Sequence, residues 1–109
     1  MADNEARLAL VKKYLAHRLA KENDEVVKCV ADSIVIESSR DGTFTGKDEV
    51  RAYLDKTAPS GTWNEPEVQD DGTVVQTGSV TVMFIPFSVR AVFHFNDNNE
   101  IVKIVVGRG

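Results

Sequence analysis

Apolar residues recur at Leu8, Val11, Leu15 and Leu19, with Leu10 and Tyr14 on the same side, so the segment from Asp3 to about Lys21 reads as a helix with one buried face. Asp3 or Asn4 caps it. Asn23 supplies a second cap, followed by Asp24 and Glu25 where a helix dipole favours negative charge, and by a short apolar face of Val26, Val27, Val30 and Ala31. The β-branched run Ile34-Val35-Ile36 then predicts a strand over Ser33–Ser38, and Asp41-Gly42 a turn into a second, short strand. Thr45 opens a Thr-x-x-Asp capping box ending at Asp48. The third helix that follows carries Val50, Tyr53, Leu54 and Thr57 at helical spacing until Pro59 and Gly61 stop it.

After Gly61 the hydrophobic period shortens from that of a helix to that of a strand. Thr62–Gln69 contains Pro66 and reads as an edge or bulged strand. Thr73–Ile85 alternates, with Val74, Gln76, Gly78, Val80, Val82 and Phe84 on one face and Val75, Thr77, Ser79, Thr81 and Met83 on the other. Gly78 marks a bend or bulge within it. Pro86 interrupts the run. Ser88–Phe95 resumes with Val89, Ala91, Phe93 and Phe95 opposite Arg90, Val92 and His94, and Asn96-Asp97-Asn98-Asn99 turns the chain into Glu100–Val106. Helices early and a meander late predict one α+β domain over residues 1–109, with three N-terminal helices packed on a strongly curved, mainly antiparallel sheet.

Composition narrows the function classes. A chain of 109 residues with 42% hydrophobic and 28% charged residues can bury one core without disulfide or metal staples. Thirteen Lys and Arg against seventeen Asp and Glu give a net charge of -4, a field that opposes nucleic acid and anionic membranes. The closest basic pair, Lys12-Lys13, does not amount to a patch, so neither partner is expected. A single cysteine and a start, MADNEARLAL, without a basic region or long apolar run lead to the expectation of a cytoplasmic protein. Cys29 reads as a small buried hydrophobe and His17 as a surface residue. Two histidines on separate elements, without Cys or carboxylate at ligand spacing, give no expectation of a metal or other cofactor.

Three stretches carry a family resemblance. Asn23 to Val27 with Ala31 to Glu37, Thr45-Gly46-Lys47-Asp48-Glu49-Val50-Arg51-Ala52-Tyr53-Leu54, and Phe93 through Asn99 to Ile104 are similar to the second helix and first strand, the entry to helix three, and the last hairpin of the nuclear transport factor 2-like superfamily. The resemblance implies a cystatin-like cone of the kind seen in SnoaL-like cyclases and ketosteroid isomerases. It places Tyr14 at the position of the isomerase's oxyanion-hole tyrosine, Ser38 at that of its general base and Ala91 at that of its second oxyanion donor. A serine without its own base cannot abstract a proton from carbon, so ketosteroid isomerase activity is not expected. Epoxide hydrolases of this fold use an Asp–Arg–Asp set on strands, and alternation puts Arg90 outside the cone.

The cone lining implied by this fold consists of Tyr14, Ile36, Ser38, Tyr53, Val80, Val82, Phe84, Ala91 and Phe93, with Trp63 closing the mouth. It is mostly hydrocarbon with a few hydroxyls, the form of a site for a small apolar ligand and equally of a filled core, and a small or partly filled cavity is expected. Two alternatives stand beside ligand binding. One is an isomerase, cyclase or dehydratase with Tyr14 as donor and either Glu37 or a water on Ser38 as base, which requires Glu37 to reach the interior. The other is a protein-interaction or trafficking module. The outer sheet face, including Thr81, Met83, Arg90, Val92 and His94, is semi-apolar, and members of this family pair through that surface, so a homodimer is expected.

Overall fold

The computed structural model describes residues 3–57 and 61–108 and, for Val82, the backbone only. Helix α1 (Asn4–Leu19) starts where the Asp3 carboxyl accepts the Ala6 N–H at 3.0 Å. Helix α2 (Asn23–Lys28), strand β1 (Val30–Ser38) and strand β2 (Gly42–Thr45) follow, then helix α3 (Gly46–Lys56). Thr45 precedes α3 without a side-chain cap, and its N–H is accepted by Glu49 at 3.1 Å, so the box closes at Glu49 rather than Asp48. Pro59 lies outside the described residues.

The remaining strands are β3 (Thr62–Trp63), β4 (Glu67–Val68), β5 (Val74–Val82), β6 (Ile85–Phe95) and β7 (Ile101–Arg108). The expected strand over Thr62–Gln69 is thus two short pieces separated by Asn64-Glu65-Pro66, both paired to β5. The sheet is curved and open, in the order β2-β1-β7-β6-β5-β3, with β1 and β7 parallel and the other pairs antiparallel.

Two expectations about β5 are corrected. Gly78 pairs with Val89 in an unbroken ladder, so there is no bulge. The glycine is needed because the Trp63 ring lies on it, and a Cβ there would come within 2.5 Å of Trp63 Cε3. The strand also does not run through Phe84. It ends at Val82, turns through Met83 and Phe84, and returns from Ile85 with Pro86 opposite Thr81.

Cross-strand register sorts the inner face into rows. Val74, Phe93, Ile104 and Ile36 form one, and Gln76, Ala91, Val106 and Ser38 the next. The first row is 0–2% exposed and packs with Val11, Tyr14, Val26, Ile34, Val50, Leu54 and Ile101 beneath the helices. The face of α1 that meets this core is Arg7, Val11 and Tyr14, so Leu19 is rotated away and stays 45% exposed. Arg7 is buried among neutral acceptors. Its Nε donates to Asn99 Oδ1 at 2.7 Å, Nη1 to the Gly72 carbonyl at 2.8 Å and Nη2 to the Asn96 carbonyl at 3.2 Å, with the guanidinium 5.0 Å from the Phe95 ring centroid. One side chain therefore ties the start of α1 to the β4–β5 and β6–β7 turns.

Candidate functional site

Strand β1 brings Ser38 to the inner face at the end of the second row, where it is buried. The turn that follows folds back on it: the Asp41 N–H donates to Ser38 Oγ at 3.1 Å, and Ser38 Oγ lies 3.5 Å from Asp41 Oδ2. From α3, the Tyr53 hydroxyl donates to the same carboxyl oxygen at 2.8 Å, while Arg40 approaches the other at 3.6 Å. Tyr53 stacks on Phe44 of β2, with centroids 4.3 Å apart and planes at 19°. A serine, a carboxyl group and a phenol thus meet at one end of the hydrocarbon rows.

Tyr14 lies deeper, edge-on to Phe93 with centroids 5.5 Å apart. Burial pushes its hydroxyl up to about 12, partly offset by the Arg18 charge, and the Tyr53 phenol adds a smaller upward push. Tyr53 is shifted upward too, first by burial and then by its bond to Asp41, against smaller pulls from Ser38 and Arg18. At neutral pH Tyr14 is a protonated donor in a poorly solvated place. Arg18, one turn on from Tyr14, donates to the Thr57 carbonyl at 3.1 Å and to Thr57 Oγ1 at 2.7 Å.

Ile36, Ala91 and Phe93 join Tyr14 in the core, and Tyr53 packs against it. Other expected lining residues stand elsewhere. Phe84 is 98% exposed at the hairpin turn, because the alternation that pointed it inward ends at Val82. The Val82 side chain lies outside the described residues. Trp63 lies on Gly78 at the far end of the sheet, its indole N–H shielded and without an acceptor among the described residues. Glu37 is opposite Val105 on the outer face, bound to Lys103 at 3.1 Å, so strand alternation keeps it from the interior position that a base would need. The carboxyl group nearest that position is that of Asp41, which stands exposed in the turn after β1. Its part in the site was hidden behind its other reading, as half of an Asp-Gly turn signal, and the Ser-x-x-Asp spacing before a turn is the pattern that would have found it.

Of the outer-face residues, Thr81 is opposite Pro86, Arg90 opposite Thr77, Val92 between Val75 and Val105, and His94 opposite Lys103, while Met83 sits in the turn. Cys29 is buried against the Glu25 carbonyl, and burial raises its thiol pKa. Among the described residues no group of His, Cys, Asp and Glu side chains gathers to hold a metal ion, and no helix is long and apolar enough to cross a membrane. Two grooves among these residues, of about 400 and 330 Å³, lie at the surface beside Asp32 and Lys47 rather than at the Ser38 end.

The helices on one face, the order of the curved sheet and the parallel β1–β7 pair within it decide the architecture. The chain has the nuclear transport factor 2-like fold. A nuclear transport factor 2-like protein of unknown function from Cytophaga hutchinsonii superposes over 100% of this chain and 92% of its own, with a TM-score of 0.79 at 10% identity. The epoxide hydrolase/cyclase-like enzyme SalBIII, which acts in pyran ring formation in the polyether salinomycin, matches 100% of this chain and 95% of its own, with a TM-score of 0.79 at 17% identity. The canthaxanthin-binding orange carotenoid protein of Anabaena (Nostoc) matches 91% of this chain with a TM-score of 0.71 at 20% identity, and this chain spans only 35% of that protein. No protein-family profile and no curated protein matches the chain. In the nuclear transport factor 2-like fold shared by these proteins sequence has diverged widely, so function has to be read from the site.

Proposed function

We propose that the chain binds a small, mainly apolar molecule whose polar group meets Ser38, Asp41 and Tyr53. The observation that carries this reading is the joining of those three side chains at the end of an apolar row. Hydrocarbon walls with a few placed donors and acceptors are the usual form of such a site. The fold supports it as well, since structural neighbours include a protein that binds canthaxanthin, of which this chain spans 35%, and an enzyme that acts in pyran ring formation in a polyether.

The test is a thermal-shift screen with steroid-like and polyketide-like compounds. A ligand at one hundred times its Kd stabilises by about 2.7 kcal/mol. A rise in Tm that shrinks in Tyr53→Phe and Asp41→Asn supports the reading, and no rise with any apolar compound removes it.

One observation favours a second reading, an isomerase or cyclase. Asp41 supplies the carboxyl group that Glu37 does not, beside the position that a general base occupies in the ketosteroid isomerases. In this version Asp41 takes the proton and Tyr14, with its raised pKa, donates to the developing oxyanion. Turnover of a screened ligand, lost in Asp41→Asn while binding persists, separates the second reading from the first.

A further inference from the structure

The β5–β6 hairpin ends in a turn whose residues serve neither the turn nor the core. Val82 pairs with Ile85, leaving a two-residue loop of Met83 and Phe84 at φ of +51° and +69°. Loops with two positive φ values favour Asn-Gly or Asp-Gly, because side chains beyond Cβ crowd the backbone there. Here two bulky apolar residues hold that conformation while 86% and 98% exposed, and Ile85 beside them is 56% exposed. Local rules broken without a gain in packing mark sites kept for function.

Charge around this hairpin also departs from the rest of the chain. No acidic residue occurs between Asp71 and Asp97, although the chain as a whole carries -4. The cations at the collar are Arg90 and Arg108, both exposed. The Arg108 guanidinium lies 5.6 Å from the centroid of the Phe87 ring. At about 3.4 Å per residue, Phe87 stands about 10 Å behind Phe84.

We propose that this hairpin docks on an anionic lipid bilayer, with Met83, Phe84 and Ile85 entering the interface and Arg108, then Arg90, meeting lipid phosphates and carboxylates. Apolar anchors of surface-bound proteins enter about 5–10 Å, which brings the Arg108 collar to the headgroups. A protruding apolar point backed by two arginines suits a deformable layer with a negative surface. It finds no apolar seat on a second copy of this chain in the grooves beside Asp32 and Lys47, which are lined by charged side chains such as Asp32, Lys47 and Glu100. The net charge of the whole chain argued against a membrane, but the acids that produce it lie outside this hairpin.

The test is flotation with vesicles of phosphatidylcholine alone or mixed with phosphatidylserine. The wild type is expected to float with the mixed vesicles and to be released by salt. Met83→Asn/Phe84→Gly places the favoured pair in the turn, so it folds with a Tm at or above that of the wild type, yet its bound fraction falls by roughly tenfold or more. Arg108→Gln lowers it about fivefold. Absence of wild-type binding to the mixed vesicles overturns the proposal, as does undiminished binding by the Asn-Gly variant. A wild-type dimer that the Asn-Gly variant turns into a monomer, with vesicles bound by neither, overturns it in favour of a second copy.

Discussion

Along β5 and β6 the inner-facing side chains pass from enclosure to exposure within one ladder. Val74 and Phe93 are 0% and 2% exposed, Gln76 and Ala91 3% and 7%, Val80 and Phe87 are half-buried, and Ile85 is 56% exposed. Hydrogen bonding between the two strands continues to the turn, so what changes is cover. Helices α1 and α3 lie over the first rows, where Tyr14 meets Phe93 and Tyr53 meets Asp41. Beyond Gly78 and Val89 the hairpin leaves them. The same strand pattern therefore builds a packed site at one end and a bare apolar point at the other.

One aromatic at each end separates the two regions most sharply. Phe93→Ala is expected to cost about 3–5 kcal/mol, from lost burial plus the cavity left under Tyr14. A domain of this size is stable by only about 5–15 kcal/mol, so that is a large share. Phe84→Ala should fall within about 0.5 kcal/mol of the wild type, since its ring packs on little. Denaturant melts of the two variants measure the contrast.

A second contrast comes from pH. Tyr14 is raised from 10.0 to about 12 by burial, so the folded state holds that proton more tightly than the unfolded chain. This contribution is fully present below pH 10 and is lost as pH rises from about 10 to about 12, for a total of about 2–3 kcal/mol. Stability curves of wild type and Tyr14→Phe should diverge over that interval. Equal curves would mean that Tyr14 titrates normally. A smaller effect of opposite sign belongs to the tip, where the Asn-Gly variant should gain about 1 kcal/mol by removing backbone strain.

Much of this architecture is legible in the sequence, and what is not legible has physical causes. The helices, the Ser33–Ser38 strand and the late meander follow from period and capping, because burial on one face leaves a repeat that composition cannot hide. The turn at Met83 and Phe84 is invisible for the opposite reason: it carries no Gly, Asn or Asp, and the apolar run from Val82 to Ile85 passes through it without a polar break. Gly78 looks like a bulge, but the cause of the glycine is Trp63, brought to it by β3. Arg7 shows the limit of reading charges as surface, since its partners are carbonyl and amide oxygens of two turns distant in sequence. At the site, Tyr14, Ser38 and Tyr53 could be named from their positions. The carboxyl group beside them shows only in the Ser-x-x-Asp spacing, because a turn fold, not a strand pattern, carries Asp41 back to Ser38.

The proposed ligand chemistry belongs to the covered end of the ladder. An NMR titration of the isotope-labelled chain with a steroid ketone tests it most directly. The account predicts progressive shifts of the Ser38, Asp41, Tyr53 and Ala91 amides, with those of Met83 and Phe84 unmoved. Shifts confined to the hairpin tip, or shifts at none of these amides with any compound of the apolar panel, would contradict it.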